Sequence, residues 1–109
     1  MIIAVAGPYS ADTSEQRNKN LDALNEAAAR LLEAGHIPIV GVNAALSIVE
    51  KSEVIEKYSA IMKISLALVD KCDAILMIGE SPGALMEKDL IVSKGLPVYY
   101  KLSEIPAKA

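Results

Sequence analysis

The sequence predicts a three-layer α/β domain: a doubly wound parallel sheet of strand order 2-1-3-4 with helices on both faces. Three observations predict it. Short apolar runs without polar alternation, at residues 2–6 and 74–78, fit strands covered on both sides. Stretches with apolar residues at helical spacing separate the strands. Glycine followed by proline ends a helix and opens a strand twice, at Gly35 and Pro38 and at Gly95 and Pro97.

The elements follow in order. The strand at residues 2–6 leads into the turn Gly7-Pro8-Tyr9-Ser10. Asp12, Thr13 and Ser14 are candidate caps for a helix in which Leu21, Leu24, Ala28, Leu31 and Leu32 form the apolar stripe. Gly35 stops it, and residues 37–40 form the second strand, completing a right-handed βαβ unit. Residues 41–52 read equally as a short helix or an ordered loop. Ser52 with Glu53 then opens a firmer helix, its buried stripe running from Val54, Ile55 and Tyr58 through Ile61, Met62, Ser65 and Leu66 to Val69. Residues 74–78 are the third strand, and the turn at residues 79–83 leads into a helix over 82–94. In that turn Ser81 suits an N-cap and Pro82 a first helical position, where its missing N–H costs nothing. Residues 96–100 are the fourth strand, and residues 101–109 read as a polar tail that is partly ordered at best.

Length and composition narrow the function. A chain of 109 residues makes one domain, 1–109, with one core. Without Phe or Trp, that core is aliphatic and alanine-rich. A net charge of −3 with no basic cluster argues against a nucleic-acid-binding surface. One cysteine excludes an internal disulfide and fits a reducing, cytoplasmic compartment. The amino terminus lacks the charged region of a secretory signal, and no apolar run approaches the roughly 18–20 residues of a membrane helix. Hydrophobic residues make up 52% of the chain, an excess that predicts a face buried in an oligomer.

Strand order 2-1-3-4 puts the switch point between the first and third strands, where ligands bind in open parallel sheets. There the turn at Gly7–Ser10 meets the turn at Gly79–Gly83, bringing together a tyrosine, a glutamate, hydroxyls and free backbone N–H groups. The first turn is neither G-x-x-x-x-G-K-[ST] nor G-x-G-x-x-G, and no acidic pair follows the first strand. One His and one Cys at unrelated positions make no metal site, so neither metal nor cofactor is expected.

Glu87 is the sharpest feature. A carboxylate can attack the anomeric carbon of a sugar and hold it as an ester, and a helix N-terminus lowers its pKa for the task. It equally reads as an acid decorating a first helical turn. Tyr9 reads as a phenol orienting that carboxylate or as a half-buried packing residue. Ser81 reads as a ligand contact or an N-cap, and Ser10 as a ligand contact or a turn hydroxyl. Cys72 reads as core, His36 as a surface or strand-edge residue, and Asp70 and Asp73 as lying on the edge far from the site.

Five segments, in order, carry a likeness: Ala6-Gly7-Pro8-Tyr9-Ser10, Ala34-Gly35-His36-Ile37-Pro38, Lys71-Cys72-Asp73-Ala74, Ser81-x-Gly83-x-x-x-Glu87 and Gly95-Leu96-Pro97-Val98. Together they resemble the nucleoside 2-deoxyribosyltransferase-like superfamily, which includes deoxynucleoside 5′-monophosphate N-glycosidases and short members of unassigned role. The resemblance spans nearly the whole chain. It implies a flavodoxin-like sheet, a nucleoside or nucleotide ligand, and a site shared between subunits of a homodimer or homotetramer. It implies Glu87 as nucleophile, Tyr9 as the phenol that positions it, and Ser81 as a phosphate ligand, with Gly7, Pro8, Ser10, Ser65 and Gly83 lining the pocket. Enzymes of that superfamily carry a proton-donating aspartate eight residues before the position of Asp73. Here that position is Ser65, which cannot serve as an acid, and Tyr58 and Asn43 are the remaining candidates to line a base pocket. A binding module without turnover is the alternative reading.

Overall fold

In the computed structural model, which describes residues 1–107, strands and helices alternate as predicted. The strands are β1 (Ile2–Ala6), β2 (Ile37–Ile39), β3 (Ala74–Met77) and β4 (Val98–Tyr99). The helices are α1 (Ser14–Glu33), α2 (Gly41–Lys51), α3 (Lys57–Val69) and α4 (Pro82–Ser93), followed by a 3₁₀ turn at Leu102–Glu104. The sheet is parallel throughout, ordered β2-β1-β3-β4, a flavodoxin-like arrangement. Ile3 pairs with Ala74 and Ala6 with Met77, so β1 and β3 end side by side. No helix is long and apolar enough to cross a membrane, among the described residues.

Alternation along the strands builds two half-cores. Ile3, Val5, Ala74 and Leu76 face α1, where Leu24 and Leu31 meet them. Ala4, Ala6, Ile75 and Met77 face the other way, toward Val69 at the end of α3, Cys72 in the turn after it, and Ala84 and Ile91 of α4. α2 packs along α3 with Ala45 and Val49 buried. Local chemistry sets the helix ends. The Thr13 hydroxyl accepts from Gln16 N–H at 3.1 Å and the Ser81 hydroxyl from Ala84 N–H at 3.1 Å. Gly35 and Gly95 follow α1 and α4 with φ of 90° and 72°, a conformation that penalises a Cβ.

Several boundaries differ from the sequence reading. The ambiguous stretch at 41–52 is a helix, and Val40 caps it instead of extending β2. Ser52 ends α2 where it was expected to open the next helix: its hydroxyl donates to the Val49 carbonyl at 2.7 Å, and its N–H bonds Ile48 and Val49. α3 therefore begins only at Lys57, leaving Val54 and Ile55 in a loop; Ile55 is 92% exposed, not part of a buried stripe. Ile55→Ser is thus expected to change stability by no more than about 0.5 kcal/mol in chemical denaturation. A core position would lose about 2–5 kcal/mol on truncation. Leu32 is also exposed, because Leu31 beside it takes the sheet-facing position.

His36 is buried, contrary to its reading as a surface residue. Its Nδ1 lies 3.1 Å from the Met1 amine and its Nε2 2.8 Å from the Pro106 carbonyl, so the ring ties the chain's two ends together. The tail is likewise docked where partial order was expected: Ile105 packs against the α1-facing half-core. Lys108 and Ala109, also assigned to that tail, lie outside the described residues.

Candidate functional site

The loops leaving β1 and β3 press directly on one another. A Cβ on Gly7 would lie 2.6 Å from Ile78 Cγ1, and one on Gly79 would lie 2.9 Å from Pro8 Cδ. Glycine at both positions is what lets the two turns meet. The β1 loop is held from the other side by α1: Asn20 Nδ2 donates to the Tyr9 carbonyl at 2.9 Å and Arg17 Nη1 to the Ala11 carbonyl at 2.7 Å.

Between the loops lies a cavity of about 320 Å³, near the lower end of the volumes that hold small molecules. Gly7, Tyr9 and Ser10 line it from the β1 loop, and Ser81, Gly83 and Glu87 line it from α4. α2 and α3 supply an apolar wall of Val42, Ile61 and Met62, together with Tyr58. Of the predicted residues, Pro8 is the one in the turns that does not line the cavity, because its ring packs on Gly79. Ser65 lies behind the wall, 1% exposed, tight against Gly41. Asn43 is not in the cavity either; it donates to Asn25 on the exposed side of α1.

Glu87 follows Gly83 by one helical turn, so both face the cavity, and side chains tilting back along a helix bring the carboxyl over that glycine. A Cβ on Gly83 would touch Met62 Sδ at 3.0 Å and Tyr58 Oη at 3.3 Å, which places the Tyr58 phenol against the same turn. Among the residues lining the cavity, Glu87 is the sole carboxylate, and there is no cation. It is 7% exposed. Burial pushes its pKa up from 4.5 to about 7, a rise that the nearby Ser65 hydroxyl partly opposes. That hydroxyl completes no hydrogen bond and is buried without a partner. The low pKa expected from the helix N-terminus is therefore reversed. Glu87 is the sixth residue of α4, beyond the first turn where the dipole acts, and desolvation outweighs what remains.

Tyr9 and Glu87 share the cavity, and no hydrogen bond joins them among the described residues. Tyr9 also packs against the α1-facing half-core, which is the packing reading of it. Ser81 is engaged as the α4 cap. Cys72 is core: burial, then the charges of Asp73 and Glu87, push its thiol up to about 11, far from a nucleophile's range. Asp73 accepts from Ile2 N–H at 2.8 Å, away from the site as expected. No group of three His, Cys, Asp or Glu side chains is placed to hold a metal ion, among the described residues. Tyr58 of α3 was named as a pocket candidate and lines the cavity, whereas Val42, Ile61 and Met62 were the part sequence reasoning missed. The apolar spacing of Ile61 and Met62 marked them as buried, but nothing local told core from cavity lining.

Residues 1–100 match the family described as "Domain of unknown function (DUF4406)". The chain belongs to that family. No curated protein matches it. The match covers every residue named in the cavity, so the loops, the helical wall and Glu87 all lie within the DUF4406 domain.

Proposed function

We propose that this DUF4406 domain is a nucleoside or deoxynucleotide N-glycosidase, or a 2-deoxyribosyltransferase, that works through Glu87. One observation carries the reading: a single buried carboxylate faces a small, largely apolar cavity at the sheet's switch point. In its ionised form, Glu87 attacks the anomeric carbon. The glycosidic C–N bond breaks, its electron pair leaves with the base, and a sugar ester forms on Glu87. Water or a second base then attacks the same carbon and frees the carboxylate, so the configuration is retained. No second carboxylic acid lines the cavity, so the departing base draws its proton from solvent at the mouth. Lack of a positioned acid lowers the rate by about 10²- to 10⁴-fold. The single reduced cysteine supports a cytoplasmic setting, and the apolar excess supports a homodimer or homotetramer.

The test incubates purified protein with deoxynucleosides and their 5′-monophosphates and follows free base by chromatography. Wild type is expected to release base from at least one of them, and Glu87→Ala to lose on the order of 10³-fold or more. Equal release by both proteins removes the catalytic role. Ser65, in place of an acid, favours a second reading, in which the cavity binds a nucleotide without cleaving it. Saturating ligand, at about 100 times Kd, would then stabilise the fold by about 2.7 kcal/mol with no turnover.

A further inference from the structure

A second hollow, of about 490 Å³, opens beside the Glu87 cavity, and Tyr9, Ser10, Tyr58 and Ile61 line both. Its chemistry is different. Arg17 of α1 and Lys57 of α3 line it, against one acid, Glu50 of α2. Arg17 is half-buried and uses Nη1 on the Ala11 carbonyl, which anchors the guanidinium at the wall. Neither Arg17 nor Lys57 has a carboxylate within ion-pair distance among the described residues. A held guanidinium with spare donors and a lysine thus line one space together with Tyr9, Ser10 and Tyr58. In a chain of net charge −3, this is a local reversal of sign.

We propose that this hollow is an anion subsite, in which Arg17 and Lys57 hold a phosphate group whose uncharged nucleoside portion occupies the adjoining Glu87 cavity. The nucleoside rests on the function proposed above; the anion subsite does not, and it stands whether or not the ligand is cleaved. The two hollows divide the ligand by charge. An ionised Glu87 repels an anion from its own cavity, which offers no cation, while the neighbouring hollow supplies two. A guanidinium fork is matched to the paired oxygens of a phosphate. The subsite differs from the one that the resemblance implied at Ser81, whose hydroxyl is already engaged by Ala84 N–H.

Calorimetry on the full chain tests it. The probes are inorganic phosphate, the four common deoxynucleosides and their 5′-monophosphates. At least one monophosphate is expected to bind about tenfold tighter than its nucleoside at low salt, with the gap narrowing as salt rises. Arg17→Gln should erase that gap, Lys57→Gln should reduce it about two- to fivefold, and Glu50→Gln should widen it by a similar factor. Nucleoside affinity should stay unchanged in all three. Lys57 and Glu50 are exposed, so those two variants carry the test even where loss of the Ala11 contact loosens the Arg17 variant. Equal affinity for nucleoside and monophosphate overturns the proposal. So does a preference that survives in Arg17→Gln and Lys57→Gln but vanishes in Ser81→Ala, and so does failure of phosphate and every monophosphate to bind. Base release is a separate readout: phosphate-dependent binding without it rejects the glycosidase alone, and release without charge-dependent binding rejects the subsite alone.

Discussion

Glu87→Gln is expected to make the protein more stable at pH 8 while abolishing base release. The carboxyl is ionised in the unfolded chain above its ordinary pKa of 4.5, whereas in the folded protein it holds its proton up to about pH 7. Below pH 4.5 both states are protonated and the site costs nothing. Between pH 4.5 and 7 the folded state binds more protons, so the stability advantage falls as pH rises. Above pH 7 the folded protein carries a buried anion at a cost of about 3 kcal/mol. Glutamine keeps the shape without the charge. Urea denaturation should therefore show the variant more stable than wild type by up to about 3 kcal/mol at pH 8, and nearly equal to it at pH 4. A variant no more stable than wild type at pH 8 would mean that Glu87 is well solvated. The same titration shapes the activity. Attack needs the carboxylate, so the wild-type rate should climb about tenfold per pH unit below pH 7 and level off above about pH 8. Under the proposed function, the desolvated acid would give up stability at the pH where it works.

Gly41→Ala is expected to destabilise the fold by about 3 kcal/mol or more. A Cβ there would lie 1.9 Å from Ser65 Oγ, 2.7 Å from its Cβ and 2.9 Å from its Cα. The first of these could move aside. The Cα belongs to the backbone of α3, so relief requires the two helices to separate. The midpoint of urea denaturation should fall sharply, and adding Ser65→Gly should restore only part of it. An unfolding free energy within about 0.5 kcal/mol of wild type would show that α2 and α3 are not in this close contact.

Much of the architecture was present in local patterns. The strand runs, the sheet order, the caps Thr13 and Ser81, and the stop signals Gly35 and Gly95 depend on residues a few positions apart, and the structure has them all. So did the meeting of the Tyr9 and Glu87 turns, because strand order alone fixes which loops leave the sheet together. Ser52 was read on the wrong side of its loop because a serine caps either end of a helix. Which helix it closes depends on the carbonyl within its reach.

The sequence by itself determined the α/β frame, the convergence of two turns and the presence of one acid between them, all of which follow from short-range periodicity and chain topology. Tertiary structure alone decided that His36 is buried, that Ser65 is wedged against Gly41, that Arg17 and Lys57 share a hollow, and that the Glu87 carboxyl holds its proton near neutrality. The physical reason is range: capping and periodicity act over one or two turns, whereas desolvation and helix–helix approach depend on segments distant in the chain closing over the same point in space.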